Sequence, residues 1–458
     1  MAEKPDNKFT QASDYFFLFC LLVFVSLVFK LVLLKDFRFL PLVGDEYRYW
    51  HNSIQILKGY FHSLNNQAPL YPIFLALIRL SFGEQALLIA RIIQLVIHSL
   101  EIFLIYLLCR EVFSEKIALW AGALACFYPE LFSFAYLLFS ETFFLGFFLG
   151  AIFLYFRAIN RREAKRFYLI LFAGFLNGIA CLVRSVNFYF FPLWVVHLFV
   201  FFPDKLRKKI LAGIFFLLAM FLSISIQTTK NYQVAHCFLL IDTNLKFNLY
   251  ASHNLGLPPH SEFRLYRFPA QTNRLPCQGK NVCAEIKCEL KNALNFILAH
   301  PRLTIKRTFL KILDLYSPNL FIYKNIFYEK YYRRVPLEEL EGFEQLKFYQ
   351  GRWFRIICSG SYLLLLLFAF WGFAGSEEKK FKAFSFFLVF YYTAVCGFFF
   401  GLTRFRMPMV PFFLIYAGIF FAQLKQWNRK KLFYQLLAFS GWLVMILVYL
   451  DRLKVLLK

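Results

Sequence analysis

Long apolar stretches are the feature that most constrains the fold of this chain. Phe alone accounts for 64 of the 458 residues, hydrophobic residues make up 60% and charged residues only 17%. Soluble domains are roughly 45–50% apolar and about 25% charged, so this sequence cannot cover a globular surface with polar atoms. The composition excludes a soluble enzyme, a disordered tail and a small disulfide-stapled secreted domain, and it predicts a polytopic membrane protein.

A helix that crosses a bilayer needs about 20 mostly apolar residues, and eleven segments meet that requirement. The sequence Tyr128-Pro129-Glu130 interrupts the third segment, and no small-residue cleavage site marks the first one as a signal peptide. The predicted spans are Tyr15–Leu34, Ala86–Cys109, Ile117–Leu138, Glu141–Phe156, Tyr168–Leu182, Val186–Phe202, Ile210–Thr229, Ile356–Phe373, Ala383–Phe400, Met407–Leu424 and Leu432–Leu450.

Short basic loops orient these spans. Four Lys/Arg clusters share one side of the eleven-span topology, and the positive-inside tendency makes that side cytosolic. The regions Lys35–Gln85 and Lys230–Arg355 then face outward, together with the C-terminus. The basic cytosolic loops account for a large share of the net charge of +25, so a nucleic-acid-binding face is not needed to explain that charge. The basic loops are Arg157–Phe167, Lys205–Lys209, Lys379–Lys382 and Lys425–Lys431.

The second outward region is too long to be a connector. It predicts a mixed extracytoplasmic domain, residues 230–355, between an N-terminal module (1–229, with its first outward loop at 35–85) and C-terminal helices (356–458). Because an outward compartment is oxidising, we expect one disulfide among its three cysteines, Cys277, Cys283 and Cys288, with the pairing left open. A metal site is the weaker interpretation, since the spacing matches no zinc pattern. The other seven cysteines are interpreted as buried apolar side chains.

The first outward loop opens with Gly44-Asp45-Glu46-Tyr47-Arg48-Tyr49-Trp50. Adjacent carboxylates beside aromatic rings suit a general base next to a bound sugar, with Tyr47 and Arg48 as substrate contacts. The alternative is an amphipathic helix on the lipid headgroups, with Asp45 as N-cap and Tyr and Trp as interfacial anchors. Further along, Gln67-Ala68-Pro69-Leu70-Tyr71-Pro72 predicts a turn into an interfacial helix and adds Tyr71 as a candidate substrate residue.

Charged residues also gather at the outward ends of the predicted spans. Glu130 and Glu141 face the same compartment as the acidic pair of the first loop, which favours a shared site. Outward arginines run against the positive-inside tendency, so we expect them to have an anionic partner. They are Arg184, Arg404 and Arg406. A phosphate suits arginine through bidentate hydrogen bonds, whereas snorkelling to the interface is the alternative.

Ionisable residues within the spans are better explained by structure. His98 and Glu101 lie one turn apart and can pair, with Arg91 nearer the outer surface, and a polar contact between helices accounts for them. His197 is predicted to be buried and neutral. The sequence contains no Walker A loop, Rossmann fingerprint, HExxH or GxSxG motif, which argues against an ATP-driven pump.

In order and topology these motifs resemble the GT-C membrane glycosyltransferases, and most closely glycosyltransferase family 39, which holds the protein O-mannosyltransferases and the aminoarabinose transferases of lipid A. The resemblance covers residues 15–235 well and 355–450 moderately. The motifs that carry it are Asp45-Glu46-x-x-Tyr49, Leu70-Tyr71-Pro72 with Gly83, Ser140-Glu141-Thr142-Phe143, Gly174 to Ala180 closed by Arg184, and Arg404 to Pro411.

The resemblance implies an all-α polytopic membrane protein of about eleven transmembrane helices, with an amphipathic first outward loop. It implies an inverting transferase that moves a sugar from an undecaprenyl or dolichyl phosphate donor to an acceptor hydroxyl at the outer face of the inner (plasma) membrane. Asp45 would be the catalytic base with Glu46 beside it, Glu141 a further acid, and the three arginines ligands of the donor phosphate.

One departure from the family concerns the donor phosphate. The aminoarabinose branch carries Lys-Pro-Pro in the first loop, whereas this chain has Gln67-Ala68-Pro69, so the lysine contact is absent or moved to an arginine. No cofactor is expected to be essential, although Asp45, Glu46 and Glu141 could bind a divalent cation. The acceptor stays open among a lipid, a glycan and a protein, and residues 236–352 match no domain of the family.

Two other functions use similar residues. A transporter or flippase of a polyprenyl-linked glycan would place charges at the bilayer midplane in broken helices. An O-antigen-type polymerase or ligase would use outward arginines without needing the early Asp-Glu pair. A non-enzymatic scaffold would not need charged residues gathered at the outward ends of the spans, so it is the least favoured function.

Overall fold

The structure is a computed structural model, and the part of the chain that it describes is helical, with no strand. It describes residues 6–38, 40, 42, 44–60, 67–161, 165–254, 277, 281–321, 349, 351–424, 439–444, 447 and 449. In chain order the helices are α1 (Asp6–Phe37), α2 (Asp45–Leu57), α3 (Leu70–Phe82), α4 (Ala86–Val112), α5 (Glu115–Phe127), α6 (Pro129–Tyr136), α7 (Ser140–Asn160), α8 (Arg166–Val183), α9 (Phe191–Phe201), α10 (Leu206–Ala235), α11 (Asn244–Ser252), α12 (Val282–Ala299), α13 (Pro301–Leu315), α14 (Arg352–Gly375), α15 (Lys379–Phe398) and α16 (Val410–Gln423).

Within the described residues, seven helices are long and apolar enough to cross a bilayer, or eight if the bent pair α5–α6 is one span. The pair bends by 51° where Pro129 begins α6, because proline cannot continue the preceding helix. The all-α polytopic class is confirmed, but the predicted number of eleven is not. The apolar segments Ser185–Phe201 and Val410–Gln423 are shorter than a span, and most of Leu432–Leu450 lies outside the described residues.

Small residues bring α8 and α10 into close contact. A Cβ at Gly178 would lie 2.7 Å from the carbonyl oxygen of Met220, and one at Gly174 would overlap the carbonyl of Phe216. Glycines four residues apart let helix backbones approach without side chains between them. This contact holds α8, whose C-terminal end carries Arg184.

Arg91 of α4 fixes the entry into the first outward loop. Its Nη1 donates to the carbonyls of Phe37 and Arg38, both at 2.9 Å, and its Nη2 donates to that of Leu40 at 3.1 Å. These carbonyls lie at and just after the end of α1, where backbone acceptors have no partner within the helix. The chain therefore leaves α1 at a fixed point shortly before Asp45.

Two histidines of the spans have partners inside the protein. His98 Nδ1 lies 2.9 Å from Glu101 Oε2 within α4, so the predicted pair forms along one helix. His197 is fully buried, as predicted, with Nδ1 2.6 Å from the Tyr155 hydroxyl and Nε2 2.8 Å from the Lys380 carbonyl oxygen. Both ring nitrogens of His197 are thus within hydrogen-bond distance of a partner.

Two disulfides link the region after α10. Cys277 pairs with Cys288, and Cys283 pairs with Cys237. The prediction that Cys237 is a buried apolar side chain is wrong. His236 takes a left-handed conformation, with φ of 53°, and ends α10, which turns Cys237 toward α12. The described parts of residues 230–355 are helical (α11 to α13), and the remaining six cysteines are free and at least half-buried: Cys20, Cys109, Cys126, Cys181, Cys358 and Cys396.

Candidate active site

Helix α2 begins directly at the acidic pair. Gly44 precedes it with φ of 57°, a value that glycine adopts without steric cost, so the chain turns sharply into the helix. Asp45 is consequently the first residue of α2, and the interpretation of Asp45 as N-cap is wrong. Both carboxylates lie in the first helical turn, where the helix dipole favours negative charge.

Five charged side chains form a row of alternating sign, which we call the charge cluster: Arg48, Asp45, Arg404, Glu141 and Arg184. Arg48 Nη2 lies 3.4 Å from Asp45 Oδ1, while Arg404 Nη2 donates to Asp45 Oδ2. Arg404 Nε is 3.7 Å from Glu141 Oε1, and Arg184 Nη1 is 2.6 Å from the same oxygen. The five residues come from four elements: the start of α2, the start of α7, the end of α8 and the 3₁₀ turn Thr403–Arg406, here called the arginine turn.

Exposure varies along the charge cluster. The side chain of Glu141 is 2% exposed, that of Asp45 24% and that of Arg48 49%. Burial opposes ionisation of Asp45, but the charges of Arg404 and Arg48 outweigh it and lower the pKa of this carboxyl. Burial likewise opposes the charge of Arg404. The negative charges of Asp45 and Glu141 outweigh burial and raise the pKa of Arg404. Asp45 is therefore an ionised carboxylate that a substrate can reach.

Aromatic rings enclose the two inner arginines. The Arg404 guanidinium carbon lies 4.9 Å from the ring centre of Phe405, 5.2 Å from that of Phe139 and 5.5 Å from that of Phe321. Phe405 also lies under Arg184, at 5.5 Å. Apolar walls lower the local dielectric constant, so the ion pairs inside them interact more strongly than they would in water.

Two hydroxyls that belong to the sequence motifs but were not predicted as site residues lie beside the charge cluster. The Tyr49 hydroxyl is 3.2 Å from Ser140 Oγ, and Arg184 Nη1 donates to the same Oγ at 3.3 Å. Burial and the charges of Asp45 and Glu141 raise the pKa of Tyr49, which keeps its hydroxyl neutral and able to donate. Helical spacing could have placed Tyr49 at this site, because it lies four residues after Asp45 and on the same face of α2.

Some predicted substrate residues lie elsewhere around α2. Tyr71 is fully buried; its ring meets that of Tyr49 edge-on at 4.9 Å, and its hydroxyl donates to Gln94. Tyr47 is 52% exposed and stacks on His51, with ring centres 6.0 Å apart. Tyr71 thus supports α2 from inside the protein, while Tyr47 lies on the open face of the same helix.

Glu46 is turned away from the charge cluster. It is 1% exposed, and its Oε1 accepts a hydrogen bond of 2.8 Å from the backbone N–H of Leu138. Leu138 lies in the short link between α6 and α7, so this bond holds the start of α2 next to the start of α7. Asp45 and Glu141 are brought together in this way.

Glu130 and Arg406 form a separate, fully buried ion pair. Arg406 Nε donates to Glu130 Oε1 at 2.8 Å and Nη1 donates to the Ser317 carbonyl at 2.6 Å, while the guanidinium lies 3.5 Å above the ring of Tyr362. The Tyr128 hydroxyl donates to the other carboxylate oxygen at 3.1 Å. The pair joins α6, the end of α13 and α14 to the arginine turn.

The charge cluster does not fit a metal ion in its present arrangement. In the described part of the chain, no three His, Cys, Asp or Glu side chains lie close enough together to hold one. Asp45 and Glu141 approach a common point, but the guanidinium of Arg404 lies there and is paired with both. Divalent cations such as Mg²⁺ need several oxygen ligands, and these two carboxylates are already neutralised.

Comparison with known proteins agrees with this architecture. Residues 66–229 match the family model of the dolichyl-phosphate-mannose-protein mannosyltransferases, and no curated protein sequence matches the chain. The fold is similar to that of the Archaeoglobus fulgidus oligosaccharyltransferase in complex with Zn and sulfate, at 15% identity and a TM-score of 0.52, over 93% of this chain and 51% of that one. It is also similar to that of the oligosaccharyltransferase AglB from Archaeoglobus fulgidus in complex with an inhibitory peptide and a dolichol-phosphate, at 14% identity and a TM-score of 0.51, over 92% and 55%.

The chain spans about half the length of these solved structures. The similarity shows that it has the fold of the GT-C membrane glycosyltransferases, which confirms the resemblance seen in its motifs. The range that matches the family model contains Glu141 and Arg184. Asp45 and Arg404 lie outside that range, and the fold brings them to the other two.

Proposed function

We propose that this protein is a glycosyltransferase that moves a sugar from a polyprenyl-phosphate donor to an acceptor hydroxyl at the outward face of the membrane. The observation that carries the proposal is the charge cluster, which joins a reachable carboxylate to two arginines at a site built from four elements. The module 1–229 and the helices of 356–458 would supply the site, and residues 230–355 would face outward beside it.

Asp45 is the residue best placed to act as the base. An acceptor hydroxyl must lose a proton as it attacks, and a positioned carboxylate can take it. Asp45 is 24% exposed, whereas Glu141 is 2% exposed and lies between two arginines. Glu141 therefore acts by holding Arg184 and Arg404 in place.

Arg184 and Arg404 are suited to the leaving group. As the acceptor oxygen bonds to the anomeric carbon, the bond from that carbon to the phosphate oxygen breaks, and negative charge develops on the polyprenyl phosphate. Guanidinium groups stabilise such charge through charge-assisted hydrogen bonds. The hydroxyls of Tyr49 and Ser140 are bonded to each other, so one of the two O–H groups remains free to donate beside the guanidinium groups. A single displacement of this kind inverts the configuration at the anomeric carbon.

Arg406 has a different role in this proposal. Its guanidinium is fully buried and bonded to Glu130 and to two backbone carbonyls. It therefore positions Arg404, two residues away on the arginine turn. Glu130 holds Arg406 in turn.

The two disulfides support an outward-facing site. Disulfides persist in oxidising compartments and are rare in the cytosol. Cys237 follows α10, whereas the basic residues Lys208 and Lys209 lie at the opposite end of this helix. That end would face the cytosol, as the positive-inside tendency predicts.

The matched proteins support a polyprenyl-phosphate donor. The family model carries dolichyl-phosphate-mannose in its description, and the AglB structure contains a dolichol-phosphate. A protein acceptor is consistent with the same description, and a lipid or glycan hydroxyl would satisfy the same chemistry at Asp45.

A transporter is the second candidate, because ionisable side chains are buried within the spans. Lys30 of α1 and the His98–Glu101 pair of α4 are fully buried. In transporters, ionisable side chains of this kind line broken helices at the midplane. Here α4 is continuous from Ala86 to Val112, which favours a structural role for them.

Transfer in reconstituted vesicles tests the proposal. Purified protein is supplied with a panel of radiolabelled polyprenyl-phosphate sugars and with membrane extract as acceptor. Asp45→Asn should lower the transfer rate by about 10²–10⁴, the range that a general base contributes. Glu84→Gln, at an exposed acid before α4, is the matched control and should keep full activity. Full transfer by Asp45→Asn would refute the assignment, and movement of the intact donor across the membrane without transfer would favour the transporter.

A further inference from the structure

Arg404 lies where carboxylates from two different helices meet. Its Nη2 donates to Asp45 at the start of α2, and its Nε is 3.7 Å from Glu141 at the start of α7. The rings of Phe139 and Phe405 lie against the guanidinium and leave it little freedom to move away. The side chain is 12% exposed, so it is not sealed off completely from the surface.

Two carboxylates that converge in a part-buried site need a cation between them, because their mutual repulsion is weakly screened there. A divalent ion or a guanidinium can supply that charge. The charge cluster already has three arginines against two carboxylates, which leaves one net positive charge. A divalent ion placed between Asp45 and Glu141 would meet this positive charge and would have to displace Arg404.

We propose that Arg404 is the resident cation of this site, in the position that a divalent metal ion would otherwise take, so that the protein requires no metal ion. Arginine has five N–H donors. In the described part of the chain, its hydrogen bonds use Nη2 alone, so Nη1 has an N–H for the donor phosphate. The phosphate contact rests on the proposed function, whereas the exclusion of metal ions rests on the charge arrangement alone.

The proposal predicts that removal of Arg404 uncovers a cation site. In Arg404→Ala the two carboxylates would face each other without the guanidinium, and the local charge would fall by one. Loss of a unit positive charge a few ångströms from a bound dication should strengthen binding by about 10²-fold. Mn²⁺ is a suitable probe because carboxylate oxygens bind it and its free form is measured directly.

The experiment is a Mn²⁺ titration of the purified protein, with free Mn²⁺ followed by electron paramagnetic resonance. The wild type should bind no Mn²⁺ that depends on Asp45. Arg404→Ala should gain one Mn²⁺ site, Arg404→Ala/Glu141→Gln should lose it again, and Arg404→Lys should resemble the wild type because it keeps the charge. Arg352→Ala, which removes an exposed arginine at the start of α14, controls for general loss of positive charge.

A Mn²⁺ site in the wild type that Asp45→Asn abolishes would overturn the proposal, as would an Arg404→Ala protein that binds no more Mn²⁺ than the wild type. The wild-type titration decides the matter even if Arg404→Ala does not fold. The transfer assay with EDTA separates this inference from the proposed function. Transfer that EDTA abolishes and Mn²⁺ restores would overturn the role of Arg404 and leave the function standing. The predicted Mn²⁺ pattern without transfer from any donor would support the role of Arg404 and overturn the proposed function.

Discussion

The buried pair of Arg406 and Glu130 makes a quantitative prediction about stability. Arg406→Met leaves the Glu130 carboxylate without its cation in a fully buried position. Removing one partner of a buried ion pair costs about 3–5 kcal/mol, since the remaining charge is uncompensated. At about 2.1 cal/mol/K per residue, 458 residues give an unfolding entropy near 1 kcal/mol/K, so the midpoint of thermal unfolding should fall by about 3–5 °C.

A double-variant cycle separates the ion pair from the size of the side chain. Arg406→Met/Glu130→Gln removes both charges, so it should be more stable than the sum of the single losses implies, by about 2 kcal/mol or more. The assay is thermal unfolding of the detergent-solubilised protein, followed by tryptophan fluorescence. Arg404→Met is the comparison, because its partner Asp45 is 24% exposed and should tolerate the loss better. An unchanged midpoint for Arg406→Met, or strictly additive losses in the double variant, would refute this reasoning.

Three further predictions concern pH and redox state. Arg404→Gln removes a charge that lowers the pKa of Asp45, so the acidic limb of the transfer-rate profile should move to higher pH, while Glu84→Gln should leave it in place. Burial and the charge of Arg307 lower the pKa of Lys311 to about 7 in the folded protein. Above that pH, Lys311 is protonated in the unfolded chain but not in the folded protein, so the unfolded chain binds one more proton. Thermal stability should therefore rise between about pH 7 and pH 10, and a Lys311→Met protein that shows the same rise would contradict the assignment. The two disulfides close loops of 11 and 46 residues, worth about 3 and 4 kcal/mol in the chain-entropy account, so reduction should lower the unfolding midpoint. Alkylation before and after reduction, read by mass spectrometry, should show four protected cysteines.

Apolar composition predicted the class of fold but not the number of spans. Windows of about 20 apolar residues locate α1, α7 and α10 because hydrophobicity alone decides whether a segment prefers the bilayer. The segment 185–201 is equally apolar, yet it is divided into a 3₁₀ turn and a short helix, and 410–423 is short as well. Length and bending are set by backbone packing, which a hydropathy window does not measure.

The candidate site was predicted in its parts and not in its assembly. The sequence predicts Asp45 from its place beside a second carboxylate and aromatic rings, and it predicts Glu141, Arg184 and Arg404 because charge at the end of a span needs an explanation. The contact between Asp45 and Arg404 joins residues 359 positions apart and depends on how α2 and the arginine turn pack. Spacing alone gave no sign of that contact.

Near neighbours in sequence were the hardest to tell apart. Arg404 and Arg406 are two residues apart on one 3₁₀ turn, and the structure places one in the charge cluster and buries the other against Glu130. Tyr47 and Tyr49 differ in the same way on α2, since the first is exposed and the second faces Ser140. Which of two adjacent side chains faces a site depends on the rotation of the element, and a residue-type argument cannot supply it.

An experimental structure with undecaprenyl phosphate bound tests most directly whether the charge cluster binds the donor phosphate. We expect the phosphate within hydrogen-bond distance of Arg184 and Arg404, beside Asp45 on the outward side, with Arg406 still bonded to Glu130. A phosphate bound instead at Arg406, or at the basic residues Lys208 and Lys209 with the charge cluster unchanged, would contradict this expectation.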